Sequence, residues 1–95
     1  MLSSKDRANL RGKAHHLGAI FHVGKDGVSP AFVAGVRDAL EARELIKIDV
    51  LDNSELDVRE AAEVVASRSG AEVVQVIGRK FVLYRKSKTR KEGVL

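Results

Sequence analysis

The sequence contains no cysteine, so neither a disulfide bond nor a thiolate metal site can form. It also lacks an uncharged apolar run of the ~20 residues that are needed to span a bilayer. Its first residues carry no apolar stretch of the signal-peptide type. We therefore expect a protein of the cytoplasm that has no membrane partner.

Aromatic residues are scarce, since the 95 residues include only three phenylalanines and one tyrosine. Proteins that read single-stranded nucleic acid by stacking usually display several aromatic rings. Phe21, Phe32, Phe81 and Tyr84 are more simply explained as core or sheet residues. The composition therefore disfavours base stacking as a mode of recognition.

The sequence also offers no convincing catalytic or metal-binding set. His15, His16 and His22 have no carboxylate or cysteine partner at a spacing typical of metal ligands. Ser29 is explained as a helix cap rather than as a nucleophile. We therefore expect no enzyme activity, no metal ion and no cofactor.

Charge is present in quantity and is segregated along the chain, although the net charge is only +4. Residues 1–37 carry six basic and two acidic side chains, residues 38–72 carry four and ten, and residues 73–95 carry seven and one. If the two basic ends converge on one side of the fold, that side suits a phosphate backbone, and we expect this convergence to include the loop at residues 24–27. A solubilising role for basic tails is the alternative.

The spacing of apolar and turn residues predicts the element order α-β-α-β-α-β-β. The first helix is expected from Ser3 or Ser4 to about Leu17, and the second from Pro30, capped by Ser29, to about Glu44. Ser54 and Asp57 resemble a capping box for the third helix. The four strands are expected at residues 19–23, 45–51, 73–77 and 80–85.

This order predicts an α/β (α+β) two-layer fold, in which a mixed four-stranded sheet is covered on one face by three helices. A three-helix bundle with incidental strands is the alternative, which the β-branched residues of the second and later strands disfavour. We expect a single domain over residues 1–85 and a basic, flexible tail over residues 86–95.

Two glycines three residues apart form the most distinctive motif. The sequence Gly24-Lys25-Asp26-Gly27 follows a predicted strand and precedes the helix that Ser29 caps. Such a loop lets the backbone approach a phosphate closely, and the amide groups at a helix N-terminus attract anions. A plain tight turn is the alternative. The spacing of a nucleotide-triphosphate loop is absent.

Basic residues outside the loop are predicted to add affinity for phosphate that does not depend on sequence. Arg7, Arg11 and His15 share one face of the first helix because they are four residues apart. The predicted phosphate-contacting residues beyond the loop and Ser29 are Arg7, Arg11, Lys13, Arg79, Lys80, Arg85, Lys86 and Lys88. A solvated surface is the alternative for each group.

Several short motifs accompany the glycine loop in a fixed order. They are Leu10-Arg11, Ala14-His15, residues 23–29, residues 44–48, residues 74–80 and residues 82–85. Together they resemble the CRM domain, also called the YhbY-like family of RNA-binding proteins, which are involved in ribosome maturation and organelle intron splicing.

The resemblance implies a fold like the C-terminal domain of a bacterial translation initiation factor. For free-standing members it implies binding of ribosomal RNA in a large-subunit precursor and assistance in its assembly. The functional loop it implies here is Gly24, Lys25, Asp26 and Gly27. We expect a monomer, with ribosomal proteins as further partners. The alternative function is an adaptor that docks a basic ribosomal protein on the acidic third helix, through Glu55, Glu60 and Glu63.

Overall fold

Three helices and four strands are present within residues 2–95, which the computed structural model of the protein describes. In chain order they are α1 (Ser4–Ala14), β1 (Ala19–Val23), α2 (Pro30–Arg43), β2 (Leu45–Val50), α3 (Val58–Ser69), β3 (Glu72–Ile77) and β4 (Lys80–Tyr84). The strands form one mixed sheet in the order β1-β2-β4-β3. The predicted fold class, element order and mixed sheet are confirmed. No helix of the described residues has the length and apolar character needed to cross a bilayer.

The strand directions give the sheet two distinct ends. β1 is parallel to β2, whereas β4 is antiparallel to both of its neighbours, β2 and β3. β1 and β2 therefore finish where the hairpin between β3 and β4 turns, at Gly78-Arg79, and this is termed the loop end. β4 finishes at the opposite side, from which residues 86–95 continue, and this is termed the tail end.

The main core lies between one face of the sheet and the two helices α2 and α3. Its buried side chains come from alternate positions of the strands, because successive residues of a strand point to opposite faces. They include Ile46, Ile48, Val50, Phe81 and Leu83 from the sheet, and Val36, Leu40, Ala62 and Val65 from the helices. Burying this apolar layer holds α2 and α3 in place.

α1 packs on the other face of the sheet, so the prediction that all three helices share one face is wrong. Leu10 and Ala14 of α1 form a second buried cluster with Leu45, Val74 and Val82. β2 and β4 carry apolar residues on both faces near the tail end, and a face of that kind must also be covered. α1 therefore covers the tail-end part of this second face.

The third helix begins later than the sequence predicted. Asp57 is the cap: its carboxylate accepts a hydrogen bond from the Glu60 amide at 2.8 Å, and the Glu60 carboxylate accepts one from the Asp57 amide at 3.3 Å. The predicted box of Ser54 and Asp57 is therefore wrong. Ser54 instead exchanges hydrogen bonds with the backbone of Leu56, which shapes the turn before the helix.

Two carboxylates of the α2–β2 junction hold the C-terminal segment. Oxygen Oε2 of Glu41 accepts hydrogen bonds from the Ser87 hydroxyl at 2.8 Å and from the amide and hydroxyl of Thr89 at 2.8 and 2.7 Å. Glu44 is 1% exposed and accepts from the amides of Ser87 at 2.7 Å and Val94 at 2.8 Å. The flexibility of this tail stays a prediction, but the segment has defined anchors.

Candidate nucleic-acid interface

The glycine loop connects β1 to α2 at the loop end of the sheet. The amide of Gly27 donates a hydrogen bond to the carbonyl oxygen of Gly24 at 3.0 Å, which closes the turn, and Gly27 has a φ of 68°. The Ser29 hydroxyl accepts from the Phe32 amide at 3.1 Å and caps α2. The loop therefore lies beside the N-terminus of a 14-residue helix, where unpaired amides and the helix dipole favour anions.

A cleft with a volume of about 580 Å³ lies beside this loop. Its lining residues are His22, Gly24, Lys25, Asp26, Gly27, Ser29, Phe32, Leu51 and Asn53. A Cβ atom at position 24 would lie 3.4 Å from Oδ1 of Asn53 and 3.5 Å from Cδ1 of Leu51. The loop backbone therefore lies close against the segment that follows β2, and a larger side chain at position 24 would occupy the cleft.

The apex of the loop carries one charge of each sign. Lys25 and Asp26 are both exposed, and neither side chain makes an ion pair or hydrogen bond within residues 2–95. The ammonium group of Lys25 is therefore available to an anion. Because Asp26 offsets this charge, attraction at the loop also depends on the backbone amides.

The hairpin cations lie at the same end of the sheet as the glycine loop, but they are paired. Arg79 contacts Asp52 at 3.0 Å, and Lys80 contacts Asp49 at 3.7 Å. Asp49 also contacts Nδ1 of His22 at 3.4 Å. The predicted hairpin residues are thus brought to the loop, with part of their charge neutralised by acids that the sequence reasoning did not connect to them.

The C-terminal cations lie at the tail end, away from the glycine loop. Arg85 is held by the carbonyl oxygen of Ser69 at 3.1 Å and by Glu41 at 3.3 Å, whereas Lys86 and Lys88 are exposed. The predicted convergence of the loop and the basic tail is therefore wrong. β4 runs antiparallel to β2 while β1 runs parallel to it, so their C-terminal ends cannot meet.

The predicted α1 cations have three different environments. Arg7 donates to carbonyl oxygens of β3 and lies 3.7 Å from Glu72, so it joins α1 to the sheet. The ammonium group of Lys13 donates to the carbonyl oxygen of Val94 in the tail. Arg11 is exposed and has no ion pair within the described residues. These residues do not form a single ridge of available charge.

The sequence profile of the CRS1/YhbY (CRM) domain matches residues 2–85. The chain belongs to the CRM domain family. YqeI of Bacillus subtilis, named a probable RNA-binding protein, is 48% identical over 92 residues, which cover 97% of this chain and 96% of that relative. A Haemophilus influenzae protein named as an RNA-binding protein is 33% identical over 90 residues, covering 95% and 91%.

The fold of this CRM domain is shared with a solved structure. The solution structure of a Staphylococcus aureus protein, described as a candidate RNA-binding protein, is 43% identical to this chain. The two match with a TM-score of 0.79 over 96% of this chain and 95% of the other. The likeness extends beyond the profile match at residue 85 and so includes part of the tail.

The cleft of this CRM domain includes two polar residues that sequence reasoning did not place there, His22 and Asn53. His22 is the penultimate residue of β1, and Asn53 follows β2. Residues at the C-terminal ends of neighbouring parallel strands meet at one edge of a sheet. The parallel pairing of β1 with β2 is therefore what brings His22 and Asn53 together, and the charge pattern of the sequence does not reveal this pairing.

Proposed function

We propose that the chain binds structured RNA at the loop end, with a backbone phosphate in the cleft beside the glycine loop. The proposed target is ribosomal RNA in a precursor of the large ribosomal subunit, whose assembly the protein assists in the cytoplasm as a monomer. In this proposal residues 1–85 are the RNA-binding domain and residues 86–95 are a basic extension. The proposal rests on the observation that the loop, the N-terminus of α2 and the available Lys25 face one cleft.

Recognition of the RNA backbone fits the site better than recognition by base stacking. Phe21 and Phe32 pack edge to face, with ring centroids 5.7 Å apart, so each ring is partly occupied by the other. Phosphate oxygens, by contrast, accept hydrogen bonds from backbone amides and from Lys25. Contacts of that kind position RNA without reading its sequence, so specificity comes from RNA shape.

The structural environments of the predicted cations distinguish those that are available to bind phosphate from those that are bound to groups of the protein. In the described part of the chain Lys25 and Arg11 are exposed and unpaired, so they are available to phosphate. Arg7 and Arg85 bind backbone carbonyl groups of the protein, and their replacement acts first on folding. Lys25 is therefore the residue whose substitution tests the proposal most directly.

Lys25→Ala should weaken the binding of different structured RNAs by a similar factor, roughly three- to tenfold, because a phosphate contact reads no base. If about four phosphates are neutralised, the log-log slope of affinity against salt is roughly −3 for the natural chain, and the variant lowers its magnitude by about 0.7. Filter binding of a structured ribosomal RNA fragment over a salt series measures both quantities.

The control is Arg59→Ala, which removes one positive charge from the exposed surface of α3. It should change affinity little, because Arg59 lies outside the cleft. A flat salt slope, a loss confined to one RNA sequence, or an equal effect of the two variants would contradict the proposal.

The adaptor function that the sequence left open gains no support from the third helix. Glu60 takes part in the helix cap through its hydrogen bond with Asp57. Glu63 is exposed, as acidic residues on a helix surface ordinarily are. Glu55 is exposed in the turn before α3, so the prediction that it belongs to the third helix is wrong. We do not propose this role.

A further inference from the structure

A second concave site lies at the tail end, where the outer strand β1 stops short. β1 begins at Ala19, opposite Lys47, so within residues 2–95 Leu45 and Ile46 of β2 have no neighbouring strand on that side. The C-terminal ends of α1 and α2 and the tail enclose this gap, which has a volume of about 280 Å³. The gap is separate from the cleft beside the glycine loop, because the two sites lie at opposite ends of β1.

Among the residues that the structure describes, four basic side chains and no acidic side chain line this gap, which we term the cationic pocket. They are Lys13 of α1, Arg43 of α2, Lys47 of β2 and Arg90 of the tail. Arg43 and Lys47 have no side-chain hydrogen bond or ion pair within residues 2–95. Since like charges held together repel one another, an anion bound between them is stabilised.

The other two cations are held by neutral groups of the backbone. Arg90 donates to the carbonyl oxygen of Arg43 at 2.8 Å, and Lys13 donates to that of Val94. The nearby acid is Glu44, whose two carboxylate oxygens accept from amides of the tail and which is almost fully buried. Glu44 therefore positions the tail wall and offsets part of the charge of Arg90, while the charged side chains that line the pocket are all positive.

Apolar residues form the rest of the pocket. Leu17 and Ile20 line it and are 36% and 39% exposed, so part of their apolar surface is open to the pocket, and Leu45 and Val94 lie beside them. A cationic rim around an apolar floor fits a ligand with an anionic group and a flat, weakly polar body. The volume is near the lower limit of roughly 300–1,000 Å³ for small-molecule sites, so it suits one such unit.

We propose that the cationic pocket is a second RNA-binding site, which holds one nucleotide with its phosphate on Arg43 and Lys47 and its base and ribose on Leu17 and Ile20. This inference rests on the proposed function and deepens it. The five residues of β1 separate the two sites by about 13 Å, so one RNA lying along β1 reaches both. In this arrangement the basic tail contacts the RNA at the end of the sheet opposite the glycine loop.

The test compares two double variants of the full chain with equal charge. Arg43→Gln/Lys47→Gln removes the unpaired cations of the pocket, and Arg37→Gln/Arg59→Gln removes two exposed cations of α2 and α3 outside it. The pocket variant should bind a structured ribosomal RNA fragment roughly tenfold more weakly, with a salt slope smaller by about 1.4, and the control should change affinity less than about twofold. If the double variant is unstable, Arg43→Gln and Lys47→Gln are tested singly, and each should show part of the loss of RNA affinity.

Amide chemical shifts locate the contact, with a short oligouridylate and inorganic phosphate as separate probes. The oligouridylate should shift the amides of Gly18 and Ile20 in the natural chain and in Lys25→Ala, but not in the pocket variant. If inorganic phosphate shifts them and the oligouridylate does not, the pocket binds a small anion only and the proposal is wrong.

The affinities separate this proposal from the proposed function. If Lys25→Ala weakens RNA binding and the pocket variant behaves like its control, the loop-end site stands and the pocket proposal is overturned. If the natural chain binds no structured RNA, the proposed function itself fails.

Discussion

Gly27 is the loop residue at which a side chain would strain the backbone. Its φ of 68° lies in the left-handed region, and an added Cβ would meet no atom within 4 Å. Gly27→Ala should therefore lower the free energy of unfolding by about 1 kcal/mol through backbone strain alone. Gly12→Ala, at an equally open position inside α1, should raise it by about 0.5–1 kcal/mol. Urea unfolding measures both, and equal shifts of the same sign would contradict this account.

The availability of each cation could not be predicted from the sequence. The loop residues 24–27 were found because glycine spacing is a local signal. The partners of Arg79 and Arg7 are Asp52 and Glu72, which are distant along the chain. A local pattern gives the sign of a charge, but its neutralisation depends on contacts that only the fold creates.

At the scale of elements, the periodic segments were predicted well and their packing was not. β1 was predicted with the bounds that it has, and α2 differs by one residue at its C-terminal end. α1 ends at Ala14 rather than near Leu17, because the chain there turns with a hydrogen bond from Leu17 to Ala14 at 3.0 Å. An apolar stripe predicts that a helix is covered, but it does not say which face of the sheet covers it.

The C-terminal segment is an element without an apolar period, and its anchors are polar. Hydrogen bonds from the Thr89 and Ser87 side chains, with further ones from the amides of Thr89 and Lys88, lower the pKa of Glu41 from 4.5 to about 2. Hydroxyl and amide donors of this kind leave no trace in a hydrophobic pattern. The sequence therefore predicted a flexible tail and could not indicate where it docks.

The lowered pKa of Glu41 gives tail docking a defined pH dependence. A carboxylate with a depressed pKa stabilises the folded state above its ordinary value of 4.5, and this contribution is lost as the pH falls from there through about 2. The amides of Lys88 and Thr89 should lose protection from hydrogen exchange across that range. In Glu41→Gln their protection should already be weak at neutral pH. The control is Asp38→Asn, which changes an exposed carboxylate elsewhere on α2. If this variant also loses protection at the amides of Lys88 and Thr89, the assignment of tail docking to Glu41 is contradicted.

At the scale of the whole molecule, the sequence order of the charges does not translate into one positive face. The glycine loop follows β1 and the tail follows β4, and these strands end at opposite sides of the sheet. The hairpin of β3 and β4 was predicted from local signals, but the pairing of β4 with β2 joins segments far apart in the chain. The positions of the two basic ends therefore had to come from the topology.

The hydrogen bonds from Arg7 to β3 also affect whether copies of the chain associate with one another. β3 is an outer strand, and Arg7 donates to the carbonyl oxygens of Val73 and Val74, where the register shifts. Unsatisfied groups on an outer strand are a template for another chain, so Arg7→Ala should self-associate at high concentration. Light scattering after size exclusion measures this, with Arg11→Ala as a monomeric control, and a monomeric Arg7→Ala would contradict it. In this prediction, a cation that resembles an RNA ligand in the sequence protects the sheet from polymerising.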